Sequence, residues 1–271
     1  MNKGEAFRNS DVQPTLDLYV ENIVNNELNN NDVNKLIIPV NPDINFKYNS
    51  FNICIGKQST GKTTSVLKEL IKLSLLPQSE NFHLIIYVSN NDSDETFNKL
   101  KDYINIPIVK LDYNNLDKTF EKFIKLKDLY NSIVDGKHEP TEDEIEMLKH
   151  NLFIKDFKAK RLHTIILMDD AAFILKKDSS PWFKWLCQLR HLNCVVFLCI
   201  QIWKSINPSL KSQITSIYLF GGYSRQQLNY IYQQICLDMK FEDFYKAYTS
   251  LSKNKVMIID MISGELLTPQ A

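Results

Sequence analysis

Glycine is scarce in this sequence, which has 7 glycines among 271 residues, against an average usage of about 7% in proteins. Most of them stand in two short stretches, Gly56 with Gly61 and Gly221 with Gly222. A chain this poor in glycine has few positions where the backbone adopts unusual angles freely. We therefore interpret these glycines as placed for a purpose, and the first pair marks the main motif of the chain.

The sequence has no net charge, because 32 Lys and Arg residues balance 32 Asp and Glu residues. This excludes a general basic field that would attract nucleic acid, so any DNA contact has to use a local patch. Disorder of the whole chain is also excluded, because 44% of the residues are hydrophobic and 24% are charged. These are the proportions of an ordinary globular protein.

Cysteine occurs 5 times, without the spacing of a metal site or of a disulfide framework. The odd number and the apolar surroundings predict buried thiols in a reducing compartment. These residues are Cys54, Cys187, Cys194, Cys199 and Cys236.

Long apolar runs are also missing. No stretch approaches the roughly twenty apolar residues of a membrane span, and the first residues, MNKGEAFRNSDVQ, lack the apolar core of a signal peptide. We expect a soluble, intracellular protein with no membrane span.

Residues 51–70, FNICIGKQSTGKTTSVLKEL, have the pattern of an apolar strand, a glycine loop and a helix. The loop matches G-x-x-x-x-G-K-[ST], the phosphate-binding loop known as the P-loop. Its backbone N–H groups and the helix N-terminus point to one place, which suits the phosphates of ATP. The predicted nucleotide-binding residues are Gly56, Lys57, Gln58, Ser59, Thr60, Gly61, Lys62, Thr63 and Thr64. Of these, Lys62 is expected to reach the β- and γ-phosphates, and the Thr63 hydroxyl to ligate Mg²⁺.

Two acidic residues follow the most strand-like run in the chain, residues 164–168 (TIILM). A buried strand presents such carboxylates from its C-terminal end to the crevice where ligands bind. We expect Asp169 to hold Mg²⁺ through its water shell, and Asp170 to orient and deprotonate the attacking water. Gln201 ends the next apolar strand, and its amide is predicted to contact the γ-phosphate or that water.

Hydrolysis also needs positive charge beside the γ-phosphoryl group, and an arginine from a neighbouring subunit is one source of it. Arg190, which precedes the strand that ends in Gln201, is the predicted trans-acting finger, and Arg225 is its rival. The predicted catalytic residues are Lys62, Asp170, Gln201 and Arg190, with Thr63 and Asp169 at the metal.

Strands separated by helical segments predict an α/β fold with a mainly parallel central sheet sandwiched by helices. We place an N-terminal arm at residues 1–45 and the nucleotide-binding domain at 46–271. A helical insertion at about 116–162 is expected to be a solvated helical pair, with a capping box from Thr141 to Glu144 opening a helix that runs to about residue 157. One helix is predicted at 182–192. The region of about 224–268 is expected to hold two helices and a small β-hairpin turned at Ser263-Gly264.

The runs GKQSTGKT, IILMDD and CVVFLCIQ, with a helix containing RH before the last, resemble the FtsK-HerA superfamily of DNA-pumping ATPases. Within it the chain is most similar to the genome-packaging ATPases of the poxvirus type and of their virophage and polinton relatives. The resemblance spans residue 51 to about residue 222. It implies a RecA-like (ASCE) core, a homo-oligomeric ring and ATP-driven movement of double-stranded DNA. Many superfamily members have Glu where this chain has Asp170.

We therefore expect an ATPase that packages a viral genome, contacts double-stranded DNA without sequence preference, forms a pentameric or hexameric ring and meets a capsid or portal protein. In the insertion, Lys118, Lys122, Lys125 and Lys127 are one candidate DNA patch, but the interleaved acids favour a solvated face. Alternatives are a DNA helicase or transfer ATPase, a small-molecule kinase and an ATP-dependent switch that pumps nothing.

Overall fold

The structure is a computed structural model, and it describes residues 46–91, 94–114, 116–151, 161–171, 181–235, 237–251 and 256–267. The predicted N-terminal arm, residues 1–45, lies outside the described residues. Among the helices that are described, none has both the length and the apolar character that crossing a bilayer requires.

An eight-stranded sheet forms the centre of the described domain, in the order β3-β2-β4-β5-β1-β6-β7-β8. The strands are β1 (Phe51–Ile55), β2 (Phe82–Val88), β3 (Ile108–Leu111), β4 (His163–Met168), β5 (Cys194–Ile200), β6 (Ser216–Phe220), β7 (Val256–Asp260) and β8 (Leu266–Leu267). Strands β1 to β6 pair in parallel, whereas β7 and β8 add antiparallel beside β6. The central strands β1, β5 and β6 are buried along their whole length, which explains why nearly all of their residues are apolar.

Helices flank this sheet and lie between successive strands. They are α1 (Lys62–Ser74), α2 (Glu95–Leu100), α3 (Leu116–Val134), α4 (Glu142–Lys149), α5 (Pro181–Leu186), α6 (Leu189–Leu192), α7 (Pro208–Lys211), α8 (Arg225–Tyr232) and α9 (Phe241–Thr249). Short 3₁₀ turns cover Pro77–Asn81, Lys101–Tyr103 and Trp203–Ser205. The predicted α/β fold and the C-terminal hairpin, with Gly264 at φ 73°, are confirmed.

Two helix predictions were wrong in their boundaries. The helix predicted at 182–192 is two short helices, α5 and α6, with a turn between them at Cys187 and Gln188. Helix α4 opens with the predicted capping box but ends at Lys149, where the His150 N–H bonds back to Glu146. In both places apolar residues continue along the chain after the helical hydrogen bonds stop, and periodicity alone does not show that end.

The helical insertion stands between β3 and β4 as predicted, but α3 is not a solvated helix. One side of it is buried, at Leu116, Phe120, Phe123, Leu126 and Tyr130. These residues recur every three or four positions and form a core-facing stripe. The rings of Phe120 and Phe123 pack against Trp185 of α5, with centroids 4.7 and 6.4 Å away. Helix α3 is therefore part of the core, whereas α4 buries only Leu148 and is the solvated helix of the pair.

Burial also corrects two smaller expectations. Lys127 has 0% of its surface exposed, so it does not belong to a DNA-binding patch. All four described cysteines are free thiols, and three are buried as predicted, whereas Cys187 is exposed in the turn between α5 and α6. Cys236 lies outside the described residues.

Candidate functional site

The predicted P-loop joins β1 to α1 at the edge of the sheet where the parallel strands end, which we call the carboxyl edge. A Cβ on Gly56 would lie 2.6 Å from Phe220 Cβ and 2.6 Å from Thr60 Oγ1, so a larger residue would displace the backbone. Gly61 has a φ of 87°, a conformation that side-chain-bearing residues rarely adopt. The Gly56 N–H donates to Ile200 O at 3.2 Å and anchors the loop to β5.

Lys62 is the first residue of α1, and it is only 7% exposed. Its Nζ donates to the carbonyl oxygens of Gly56 and Lys57, at 3.0 and 2.9 Å. The ammonium charge therefore lies inside the loop, where a buried cation needs oxygen partners. Phosphate oxygens are stronger acceptors because they are charged, so the loop presents a cation already positioned for a polyphosphate.

Thr63 and Asp169, the predicted metal residues, are in contact. Thr63 Oγ1 donates to Asp169 Oδ1 at 2.8 Å. Burial raises the pKa of the Asp169 carboxyl, because a carboxylate loses hydration there. Mg²⁺ prefers oxygen ligands and commonly takes one or two from the protein and the rest from water and phosphate. The two oxygens at this position fit that requirement.

Asp170 and Gln201 are also brought together, although they follow different strands. Gln201 Nε2 donates to Asp170 Oδ1 at 3.1 Å. Asp170 has a φ of 50°, and its N–H donates to Asp169 Oδ1 at 3.1 Å. Such left-handed backbone at a non-glycine residue is uncommon and concentrates at functional sites. Both side chains are exposed, so water can reach the carboxylate and the amide.

Sequence analysis missed two tyrosines that hold the main chain of this site. The Tyr113 hydroxyl donates to Asp169 O, and the Tyr223 hydroxyl donates to Gln201 O at 2.7 Å. Burial raises the pKa of both hydroxyls, so they remain protonated donors.

Tyr223 is itself fixed by α9. Its N–H donates to the Tyr248 hydroxyl at 3.1 Å, and that hydroxyl donates to Phe220 O at 2.8 Å. Gly222, at φ 99°, turns the chain just before Tyr223. The Gly221-Gly222 pair was therefore the one sequence signal for this region, and it did not indicate which strand end the tyrosine would contact.

The two candidate finger arginines lie in different places. Arg190 is on α6, before β5 begins. Since β5 has 7 residues and a strand rises about 3.3 Å per residue, roughly 23 Å separates the two ends of β5. Arg190 is thus at the opposite edge of the sheet from the P-loop of its own chain. Arg225 opens α8 near the carboxyl edge, pairs with Glu242 and stacks 4.7 Å from the Tyr245 ring centroid.

No protein-family model and no curated protein sequence matches the chain. Solved structures do match it. B204, the DNA-packaging ATPase from Sulfolobus turreted icosahedral virus, has a TM-score of 0.54 at 17% identity, covering 82% of this chain and 97% of B204. The genome-packaging NTPase B204 from Sulfolobus turreted icosahedral virus 2, in complex with AMP, has a TM-score of 0.53 at 16% identity, covering 82% and 96%.

The same protein in complex with ATP-gammaS matches with a TM-score of 0.52 at 17% identity, covering 80% of this chain and 95% of that one. ATPases 2 and 3 of EssC from Geobacillus thermodenitrificans match with a TM-score of 0.52 at 13% identity, covering 78% and 38%. These neighbours are ATPases, as the sequence resemblance predicted, and at such identities they establish the fold. The chain has a RecA-like P-loop fold, similar to the folds of B204 and of the EssC ATPases.

Proposed function

We propose that this chain hydrolyses ATP and uses the energy to move double-stranded DNA into a viral capsid. The proposal of ATP hydrolysis rests on two contacts at the carboxyl edge, Thr63 with Asp169 and Asp170 with Gln201. Residues that follow β1, β4 and β5, and are distant in sequence, meet there beside the P-loop.

Each of these residues has a distinct role in the proposed reaction. Lys62 and the loop N–H groups bind the β- and γ-phosphates, and Thr63 and Asp169 would hold Mg²⁺. The metal, when bound, neutralises charge on the phosphate oxygens. Asp170 accepts a proton from the attacking water, and Gln201 orients that carboxylate and the water.

The similarity to B204 supports the DNA-moving part of the proposal. The match covers 97% of B204, so this domain corresponds to nearly all of a DNA-packaging ATPase. A packaging motor has to accept any sequence, so its DNA contacts should fall on the phosphate backbone. We also propose a capsid or portal protein as a partner, and a reducing intracellular compartment, which suits the free thiols.

The ATPase rate with and without double-stranded DNA, measured together with the mass of the assembly, tests this function. We expect DNA of any sequence to stimulate hydrolysis by an assembly of five or six subunits. Hydrolysis that DNA does not affect would favour an ATP-dependent switch, and phosphoryl transfer to a small acceptor would indicate a kinase.

We further propose a homo-oligomeric ring in which Arg190 completes the site of the neighbouring subunit. Arg190 lies across the sheet from its own P-loop, so it can serve a phosphate site only in another copy. Arg225 already pairs with Glu242 of its own chain, which favours Arg190 as the finger.

Mixing two inactive variants tests this arrangement. Arg190→Ala should bind ATP normally but lose about a thousandfold or more in turnover, as when other arginine fingers are removed. Combined with Lys62→Ala subunits it should recover some activity, because in mixed rings an intact P-loop meets an intact arginine. If subunit exchange shows that mixed rings form and no activity returns, Arg190 is not the finger and Arg225 becomes the better candidate.

A further inference from the structure

The chain segments that leave the carboxyl ends of β5 and β6 are free of acidic residues. From residue 179 to residue 237 the sequence contains no Asp or Glu. This range includes residues 201–213, which lead from β5 towards β6, and also helix α8. Residues 201–213 therefore carry the positive charges of Lys204 and Lys211 without any acidic residue of their own.

Two lysines on the segment after β5 rest against aromatic rings. Lys204 Nζ lies 4.8 Å from the ring centroid of Tyr230 on α8, and Lys211 Nζ lies 5.2 Å from the ring centroid of Trp203. Trp203 is only 4% exposed, so the core holds its ring in place. Cation–π contacts of this kind position the ammonium groups. We call residues 202–213 together with Tyr230 the Lys204–Lys211 surface.

The other exposed side chains of the Lys204–Lys211 surface are neutral, and several are hydrogen-bond donors, such as Ser209, Ser212 and Gln213. Cations combined with hydroxyl and amide donors are the groups that contact phosphate and sugar in protein–DNA complexes. Arg225 adds no net charge to this surface, because it pairs with Glu242.

We propose that the Lys204–Lys211 surface contacts the phosphate backbone of double-stranded DNA. The proposal rests on the proposed function and specifies where the DNA partner binds. The surface begins immediately after Gln201, whose side chain contacts Asp170. DNA bound there touches the same chain segment that orients the catalytic carboxylate, which gives DNA a direct route to stimulate hydrolysis.

The exposed lysines of the helical insertion provide the contrast. Lys118, Lys122 and Lys125 follow one another along the exposed side of α3. Asp117, Glu121 and Asp128 are interleaved with them and are also exposed, so the charges of this side largely cancel. Phosphate gains little from a surface of mixed sign, and these lysines therefore serve as a matched control.

The test compares two double variants that each remove two lysine charges. Lys204→Gln with Lys211→Gln should weaken binding to a duplex of mixed sequence about tenfold or more at moderate salt, and should lower the salt slope of log Kd by about two. Hydrolysis without DNA should be unchanged, while stimulation by DNA is lost. Lys118→Gln with Lys122→Gln should leave binding, slope and stimulation unchanged.

One further variant and two outcomes of this comparison decide the result. Lys204→Arg with Lys211→Arg should bind DNA as the unmodified chain does, because the charge is retained; failure to do so would overturn the proposal even if the Gln pair also loses stability. Equal DNA binding by the Gln pair and the unmodified chain, or an equal loss in the α3 control, would overturn it while leaving the proposed function intact.

The unmodified chain also has to be tested with poly-glutamate as a second polyanion. If it binds poly-glutamate through these lysines but does not bind duplex DNA, the surface docks an acidic protein and the proposal is wrong. If the chain hydrolyses ATP but neither binds DNA nor responds to it, the proposed function fails first, and the inference fails with it.

Discussion

Lys62 and Lys127 are the two buried lysines among the described residues, and they lie in regions with different purposes. Lys62 stands in the P-loop and donates to Gly56 O and Lys57 O. Lys127 stands in the helical insertion, donates to Leu162 O just before β4, and lies 5.7 Å from the Tyr130 ring centroid. Burial of a lysine therefore does not identify a ligand site by itself.

What separates the two lysines is the source of their acceptors. The acceptors of Lys62 belong to a loop that Gly56 and Gly61 hold open, so phosphate oxygens can replace them. The acceptor of Lys127 is main chain at the start of a core strand, so the lysine ties α3 to the sheet. Burial lowers the pKa of Lys127 to about 8, because an apolar site disfavours the ammonium form.

The largest expected effect comes from Lys62→Ala. Removing this charge from the phosphate site should abolish measurable hydrolysis and most nucleotide affinity. Turnover assays and binding of a fluorescent ATP analogue measure both losses. Lys127→Met is the matched control, because it also removes a buried ammonium group; an equal loss of nucleotide affinity in that variant would break the distinction between the regions.

A smaller loss, in turnover only, is expected from Asp170→Asn. An amide keeps the hydrogen bond with Gln201 possible but cannot accept a proton from water, so turnover should fall about 10²- to 10⁴-fold. ATP affinity should be retained, as equilibrium binding would show. A variant with full turnover would reassign the general base, with Asp169 or Gln201 as the next candidates.

In the insertion, by contrast, Lys127→Met should change the stability of the folded protein and leave its ATP hydrolysis unchanged. The pKa of Lys127 is about 8 in the folded chain against 10.5 ordinarily, so keeping the charge buried below pH 8 costs about 3 kcal/mol. The lost hydrogen bond to Leu162 O offsets about 1 kcal/mol of that. The variant should therefore be about 1 to 3 kcal/mol more stable at pH 7 in denaturant unfolding.

The pH dependence provides the check on this expectation. Between pH 8 and pH 10.5 the unfolded chain binds more protons at Lys127 than the folded chain does, so the free energy of unfolding rises with pH across that window. Lys127→Met should remove this rise, and Lys125→Met, at an exposed position on the same helix, should not. A less stable Lys127→Met protein at pH 7 would show that the lysine supports the insertion.

The two regions also differ in how far the sequence predicted them. The sequence predicts that the P-loop, Asp169-Asp170 and Gln201 lie together, because each follows an apolar strand directly and parallel strands bring such positions to one edge. The structure brings them into contact. In the insertion, Lys122, Lys125 and Lys127 have the same chemistry and similar neighbours. Which of them is buried depends on how α3 packs against α5 and β4. The local sequence around these lysines does not determine that packing.

Dependence on non-local packing also explains why the sequence does not predict the tyrosines of the site. Tyr223 and Gln201 are 22 positions apart, on segments that meet only because β5, β1 and β6 are adjacent in the sheet. A tyrosine after a glycine pair indicates a turn, but this pattern does not predict which carbonyl oxygen accepts the hydrogen bond of its hydroxyl.

The smallest expected effect comes from Tyr223→Phe, which removes that hydroxyl and keeps the ring. Gln201 O loses a donor worth about 1 kcal/mol, so Gln201 and Asp170 should be held less well and kcat should fall about fivefold, with KM unchanged. Tyr232→Phe is the matched control. Tyr232 lies on α8, and its hydroxyl donates to Met239 O and not to Gln201. If both variants lose equal stability and only Tyr223→Phe slows turnover, Tyr223 positions the catalytic edge; equal kcat in the two variants would reduce it to a packing residue.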